Sequence, residues 1–191
     1  TMKSMFQNTT GNINGIESFN TAVVTDMESM FENSNIQNPD LSTKIITTVT
    51  GASYIAWDTI FVTTMRNMFK NTNFNGDIDN WNTISVFPMS NLFENTQNFN
   101  RDISKKSISG LGSYDCWNTP NVTFMTNMFK DAVSFNSDIG DWNTSNVQDM
   151  SGMFSGAKKF NINLDTWDTS KVTSMENMFN GAVDFNNMIG N

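Results

Sequence analysis

Apolar residues occur along this chain in an order that repeats about every 25 residues. A Met-Phe pair, or the similar Leu-Phe, is found seven times, at Met5-Phe6, Met30-Phe31, Met68-Phe69, Leu92-Phe93, Met128-Phe129, Met153-Phe154 and Met178-Phe179. A large aromatic residue stands twelve residues before the Phe of the last six pairs, at Phe19, Trp57, Trp81, Trp117, Trp142 and Trp167. The clearest unit begins at Trp142 and ends just before Trp167, a distance of 25 residues. The chain is therefore an array of repeats.

Spacing within the unit predicts two structural elements. Phe135 and Ile139 are four residues apart, which places them on one face of a strand. The same pair recurs as Phe74/Ile78, Phe99/Ile103 and Phe160/Leu164. A second apolar set has helical spacing, with a capping residue before it and a glycine near its end, namely Ser145, Val147, Gln148, Met150, Met153, Phe154, Gly156 and Ala157. These residues predict a short helix or 3₁₀ turn.

The length of the period indicates how the units assemble. Leucine-rich-repeat coils are 20–29 residues long, whereas helix-pair repeats need 33 or more. Stacked coils are stabilised by contacts with their neighbours, because one coil buries too little apolar surface to fold alone. We therefore predict a repeat solenoid, leucine-rich-repeat-like, with one short parallel β-strand plus a short helix or 3₁₀ turn per 25-residue coil. Residues 1–191 form a single array of about seven coils in this prediction.

Two insertions interrupt the period at equivalent points. The apolar residue of the predicted strand normally precedes the next Trp by three positions, but Leu41 precedes Trp57 by sixteen and Ile103 precedes Trp117 by fourteen. The extra residues lie at about 42–55 and 104–114. We expect both insertions to project from the same rim of the array, two coils apart.

The insertions contain the residues that we consider the best candidates for binding. The only two tyrosines of the chain, Tyr54 and Tyr114, stand three residues before a Trp, and Lys44, Lys105 and Lys106 are close by. Loops on a rigid scaffold often carry recognition, and tyrosine is a frequent contact residue. The alternative is that the insertions pack on the flank of the array, with each tyrosine covering the adjacent Trp.

Composition excludes several classes of chemistry. The chain has no histidine and one cysteine, Cys116, so it lacks a histidine-dependent nucleophile, a histidine zinc site and an internal disulfide. A net charge of −8 opposes binding to nucleic acid or to an anionic membrane surface. No run of eighteen apolar residues is present, so we expect no membrane insertion within this segment. We predict neither catalysis nor a cofactor.

Recurring polar residues have structural explanations beside functional ones. Asparagine follows the Phe of the predicted strand at Asn75, Asn100, Asn136, Asn161 and Asn186, which is typical of a stacked file that binds turn backbone groups. Files of Asp and Asn two positions further on, and after each Trp, favour turn hydrogen bonds over a calcium site. Sequons for N-glycosylation begin at Asn8, Asn121 and Asn143.

The unit from Trp142 to Leu164, and again from Trp167 to Ile189, resembles the 25-residue repeats of the mycoplasma-type surface lipoprotein family. That family is similar in turn to the BspA-like leucine-rich-repeat proteins of bacteria and some protists. The resemblance implies a leucine-rich-repeat-like solenoid, an extracellular or cell-surface location, and a role in attachment or surface structure. It implies no catalytic residue. The chain begins within the pattern, so we expect it to be a segment of a longer protein.

Three functional hypotheses follow. The first is a non-catalytic cell-surface or secreted module that binds protein or glycan on a host, a neighbouring cell or the matrix. The second is a structural subunit of a surface layer or extracellular filament that self-assembles through the ends or edges of the array. The third is a polysaccharide-active β-helix enzyme, which would need two carboxylates across a cleft. No such pair stands out in the sequence.

Overall fold

The structure is a computed structural model that describes residues 1–110 and 112–190. Regular secondary structure is sparse in the described residues. It consists of one 3₁₀ helix, Ile16–Ser18, and four strands, β1 (Lys44–Thr47), β2 (Ser53–Ala56), β3 (Lys106–Ile108) and β4 (Tyr114–Cys116). The strands form two separate two-stranded antiparallel sheets, β1 with β2 and β3 with β4. The fold is mostly β with small sheets, and turns make up the repeats.

The predicted leucine-rich-repeat-like solenoid, with a short parallel strand and a short helix or 3₁₀ turn in each coil, is wrong. Every strand of the described residues pairs antiparallel, and no strand covers the positions predicted for one, 74–78, 99–103, 135–139 and 160–164. Parallel pairing between repeats is confined to isolated bridges, such as those from Phe124 to Asp149 and from Leu164 to Ile189.

Side chains explain why the predicted strands are absent. Backbone N–H groups of this segment bond to asparagine and aspartate oxygens, which leaves no continuous strand ladder. The N–H of Asn100 donates to Oδ1 of Asn75 at 3.0 Å, and the N–H of Asn75 donates to Oδ1 of Asn38 at 2.7 Å. Two residues on, Oδ1 of Asp77 accepts the N–H of Asp79 in an Asx turn. The asparagine file is thus a continuous set of contacts between repeats.

Left-handed residues explain why the predicted helices are absent. Gly152 and Gly156 have φ of +63° and +73°, values that a right-handed helix cannot contain. The same two positions are left-handed in every repeat, at Ser4/Asn8, Ser29/Asn33, Asn67/Asn71, Asn91/Asn95, Asn127/Asp131, Gly152/Gly156 and Asn177/Gly181. The apolar residues that recur three or four positions apart therefore lie in consecutive turns and not in a helix.

Alternate backbone N–H groups in this turn segment have different partners. The N–H of Gly152 donates to the carbonyl of Glu176 in the next repeat at 2.8 Å, whereas that of Met153 donates three residues back, to Met150, at 3.1 Å. Phe154 and Ser155 repeat the alternation, with donation to Met178 and to Gly152. Each repeat is thereby hydrogen-bonded both within itself and to its neighbour.

Aromatic columns form the core between these hydrogen-bonded edges. The Phe of the Met-Phe pair stacks on its equivalent in the next repeat, with ring centroids 5.5–5.8 Å apart from Phe6 to Phe179. A second column runs from Phe74 to Phe185, and a third joins Trp57, Trp81, Trp117 and Trp142. Each Trp is buried and its Nε1 donates to a backbone carbonyl, that of Ile103 at 2.9 Å for Trp142. These columns bury the largest side chains of the chain.

The left-handed turns yield a stability prediction at Asn71, which has φ of +57°. Its Nδ2 donates to Asn33 and its Oδ1 accepts from Asn95. Asn71→Gly removes both bonds but tolerates the backbone, whereas Asn71→Ala adds the cost of a left-handed residue, about 1–2 kcal/mol. We expect Asn71→Ala to have the lower free energy of unfolding in urea. Asn73→Ala, at an exposed residue nearby, is the control. Equal stability of the Gly and Ala variants would contradict this account.

Candidate binding surface

The two sequence insertions form the two antiparallel hairpins. Residues 42–55 contain β1 and most of β2, in which Lys44 pairs with Ala56 and Thr47 with Ser53. Residues 104–114 contain β3 and the first residue of β4, and Lys106 pairs with Cys116. Leu111, within the second insertion, lies outside the described residues. The assignment of residues 1–191 to one array interrupted by two insertions stays a prediction.

The tip of the first hairpin is exposed to solvent. Val49 has its full side-chain surface exposed, at 107%. The N–H of Thr48 donates to the carbonyl of Ala52 at 2.8 Å, and Gly51 has φ of +84°, which closes the turn. The hairpin therefore presents an apolar residue on a hydrogen-bonded turn.

Both tyrosines attach their hairpin to the preceding repeat. The hydroxyl of Tyr54 donates to the backbone carbonyl of Ser18 at 2.6 Å, and the hydroxyl of Tyr114 donates to that of Asn80 at 2.7 Å. Both rings are half-buried, and burial raises the pKa of the Tyr114 phenol. Both side chains also pack against the hydrophobic core. The alternative, that each tyrosine covers the adjacent Trp, stays a prediction. Their role in binding stays a prediction.

The lysines of the two hairpins make ion pairs with nearby aspartates. Nζ of Lys44 lies 2.9 Å from Oδ2 of Asp40, and Nζ of Lys106 lies 2.9 Å from both Asp79 and Asp102. Burial lowers the pKa of Lys106, but its bonds to Asp79 and Asp102 outweigh this and hold the pKa above its ordinary value. Lys106 is charged at neutral pH.

A groove of about 360 Å³ brings the second hairpin's charges together. It is lined by Lys105, Lys106, Ser107, Asp115 and Asp141. Nζ of Lys105 is 3.8 Å from Oδ2 of Asp115, a longer separation than those at Lys106. The groove presents both signs of charge and suits a polar ligand group.

Cys116 faces the interior beside this groove. It is buried, its Sγ donates to the carbonyl of Lys106 at 3.0 Å, and burial raises the pKa of its thiol. A thiol held protonated in this way is a poor nucleophile. Cys116, the last residue of β4, therefore has a packing role against β3.

The three sequon asparagines lie in the repeats. Nδ2 of Asn121, the atom that would carry a glycan, donates to the carbonyl of Ile84 at 2.8 Å. Oδ1 of Asn8 accepts from Asn33, and Oδ1 of Asn143 accepts the N–H of Ser145. Glycosylation at these residues stays a prediction.

A further surface was missed by sequence reasoning. Phe61, Phe87 and Phe124 are 58%, 49% and 42% exposed and make no aromatic stack among the described rings. The signal was available, because each of them stands where most other repeats carry a polar residue. Phenylalanine is so frequent in the aromatic columns that these three residues, which lie outside the columns, were not singled out.

Comparison with protein families identifies the chain's relatives. Residues 1–56, 44–114 and 105–191 each match the family described as "Mycoplasma protein of unknown function, DUF285". The chain belongs to this family. Its three tandem matches overlap at 44–56, which is the range of the first hairpin, and at 105–114, which contains β3 and the first residue of β4. Comparisons with curated proteins and with solved structures found no match.

Two further properties of this DUF285 chain concern sites and membranes. Within residues 1–110 and 112–190, no group of three or more Cys, Asp or Glu side chains is arranged to hold a metal ion. Among the same residues, no helix has the length and apolar character needed to cross a bilayer.

The tyrosine anchors yield a prediction for the matched variants Tyr54→Phe and Tyr114→Phe. Each leaves one backbone carbonyl without its hydroxyl donor, which costs about 1 kcal/mol. We expect faster amide hydrogen exchange in the affected hairpin and little change in the other hairpin. Uniform exchange in both hairpins of both variants would show that the hydroxyls do not anchor them.

A pH prediction follows from Asp102. Burial raises its pKa, but hydrogen bonds from Ser104 and Lys106 outweigh this, so its pKa in the folded chain lies below the ordinary 3.8. The stability that Asp102 contributes is present above the ordinary pKa of 3.8 and is lost as the pH falls through the lower pKa of the folded chain. Between about pH 5 and about pH 3, we expect Asp102→Asn to lose less stability than the wild type. Urea unfolding at each pH measures the difference, and parallel curves would refute it.

Proposed function

We propose that the chain is a non-catalytic binding module of an extracellular or cell-surface protein, which attaches to a protein or glycan on a host, a neighbouring cell or the matrix. The resemblance of the repeats to those of surface lipoproteins and of BspA-like surface proteins supports this location. The composition favours binding over catalysis, since histidine is absent from the sequence.

The observation that carries the proposal is the pair of matched hairpins. Each extends from the repeated core and is held there by a tyrosine that donates to a backbone carbonyl of an earlier repeat. Ion pairs at the hairpin base, from Lys44 to Asp40 and from Lys106 to Asp102, add a second attachment. A fixed base lowers the entropy lost when a loop binds its partner. The tips are then free to make contact.

The matching construction of the two hairpins favours a single partner that contacts both. They share the tyrosine three residues before a Trp, and the lysine–aspartate pair with spacing of four, Asp40 to Lys44 and Asp102 to Lys106. Two contacts on one rigid scaffold strengthen attachment, because the second forms at a high effective concentration.

The test replaces the hairpin tips, residues 48–52 and 109–113, by Asn-Gly, which suits a two-residue hairpin turn. Fluorescent microspheres that carry the chain are applied to epithelial monolayers, to laminin- and fibronectin-coated plates and to a glycan array. We expect attachment of the wild type, and at least a tenfold loss of affinity in the double-tip variant, equivalent to about 1.4 kcal/mol.

The single-tip variants and Val183→Thr, at an exposed residue far along the chain, serve as controls. Val183→Thr is expected to bind like the wild type, and each single-tip variant to fall between the two extremes. Circular dichroism and thermal unfolding establish that every variant is folded. Wild-type attachment by a folded double-tip variant would refute the proposal for the hairpins.

A further inference from the structure

Three phenylalanines differ from the other phenylalanines of the chain in how they pack. The chain has 16 phenylalanines, and 13 of them stack on another aromatic ring. Phe61, Phe87 and Phe124 make no such stack within the described residues, and all three are exposed. A side chain that is neither stacked nor buried contributes little to the core.

The three residues occupy successive repeats on one part of the surface. The N–H of Phe87 donates to the carbonyl of Thr63, two residues after Phe61, at 3.1 Å. Phe124 forms a parallel bridge with Pro88, the neighbour of Phe87. Ile60 and Ile84 are also exposed, and Oγ of Ser85, the residue after Ile84, donates to the carbonyl of Ile60 at 2.8 Å. We call this set the phenylalanine surface: Ile60, Phe61, Ile84, Phe87 and Phe124.

The fold does not require apolar residues at these places. The positions equivalent to the three phenylalanines are polar in the repeats that follow, namely Asn146 and Lys171 for Phe61, Thr123, Gln148 and Thr173 for Phe87, and Asp149 and Ser174 for Phe124. These later repeats stack through the same backbone bonds, such as that from Thr173 to Gln148 at 2.8 Å. Exposed apolar residues that neighbouring repeats bring together and that folding does not need indicate an interaction site.

Charges around the phenylalanine surface are mainly negative. Asp149 forms a parallel bridge with Phe124 at one side, Asp26 forms one with Thr64 at the other, and Asp58 precedes Ile60 by two residues. Burial raises the pKa of Asp149, but hydrogen bonds from Ser151 and Thr126 outweigh it and hold the pKa below its ordinary value. Two cations, Lys3 and Arg66, lie on the Asp26 side, and the chain as a whole carries −8. This distribution complements a cationic partner.

The polar side chains beside the rings disfavour a glycan. Oγ1 of Thr63 donates to the carbonyl of Thr25, Oγ of Ser85 to that of Ile60, and Nδ2 of Asn121 to that of Ile84. Their donors are already engaged with the backbone of a neighbouring repeat, so few are left for sugar hydroxyls. Aliphatic contacts suit protein side chains better.

We infer that the phenylalanine surface docks a protein segment whose apolar side chains are flanked by lysine or arginine. The apolar side chains of the partner cover Phe61, Phe87 and Phe124, and its cations lie near the carboxylates of Asp26, Asp58 and Asp149. This surface is distinct from the hairpins, so it adds a second docking site to the function proposed above.

The test uses synthetic peptides as probes. An 18-residue amphipathic helix of leucine and lysine is compared with the same helix of leucine and glutamate, and with a lysine-serine peptide of equal charge. Fluorescence anisotropy measures the affinity of each for the full chain. We expect the leucine-lysine peptide to bind most tightly, since it alone supplies both apolar side chains and cations, and to bind more weakly at high salt.

The repeats supply conservative substitutions for the surface. The triple variant Phe61→Asn, Phe87→Thr and Phe124→Thr places at each site a residue type found there in another repeat. We expect it to bind the leucine-lysine peptide at least about tenfold more weakly. Val183→Thr, which removes an exposed apolar residue that lies in neither the phenylalanine surface nor a hairpin, is expected to leave that affinity unchanged. The single variant Phe87→Thr gives the same test with the least risk to folding.

Charge is tested separately with Asp26→Asn and Asp149→Asn, which preserve an acceptor oxygen for the turn hydrogen bonds. We expect weaker binding of the leucine-lysine peptide. The inference is overturned if the folded triple variant binds the leucine-lysine peptide as tightly as the wild type does. It is also overturned if the wild type binds the leucine-glutamate peptide as tightly as the leucine-lysine peptide. It is also overturned if light scattering shows a dimer that the triple variant abolishes, which makes a second copy the occupant, or if the substitutions abolish binding to a glycan array instead.

Discussion

The alternation of backbone hydrogen bonds in the turn segment is the constraint on which the structure depends. One N–H group bonds to the next repeat and the following one bonds three residues back, as Gly152 and Met153 do. The chain can alternate in this way because Gly152 and Gly156 take positive φ. The same bonds hold neighbouring repeats at a fixed separation, so identical side chains in successive repeats meet face to face. Phe129 and Phe154 stack at 5.8 Å with rings 1° from parallel.

This constraint determines which residue types the repeats use. Left-handed positions favour Asn, Asp and Gly, whose preferences explain the Asn67/Asn71 and Gly152/Gly156 pairs. Gly156 also leaves space for its neighbour in the stack, because a Cβ there would clash with Oδ1 of Asp131. Buried threonines connect the repeats from inside; Oγ1 of Thr83 donates to the carbonyl of Asn118 at 2.7 Å. The same few positions therefore satisfy both the backbone conformation within a repeat and the packing between repeats.

The sequence allowed the repeated positions to be recognised, but it did not allow prediction of the secondary structure. Trp81 and Phe93 recur in phase with the repeat, and both are fully buried. The ranges 42–55 and 104–114 contain β1 with most of β2, and β3 with the first residue of β4. The predicted helix at Val147 to Ala157 was wrong, because apolar residues three or four apart also fit consecutive turns whose left-handed residues recur every fourth position. Asn and Gly at those positions were the available signal.

Departure from the repeat is the physical basis for distinguishing functional residues in this chain. A residue that recurs in phase, such as Trp117, is explained by the column it joins and needs no ligand. Tyr114 departs from the phase, yet its hydroxyl bond to Asn80 gives it an anchoring role. Phe87 departs from the phase and has no such internal partner among the described residues. An exposed aromatic ring leaves apolar surface in contact with water, and burial of that surface against a partner is favourable in free energy. The absence of any internal stack for Phe87 therefore argues more strongly for an external contact than the rarity of tyrosine does.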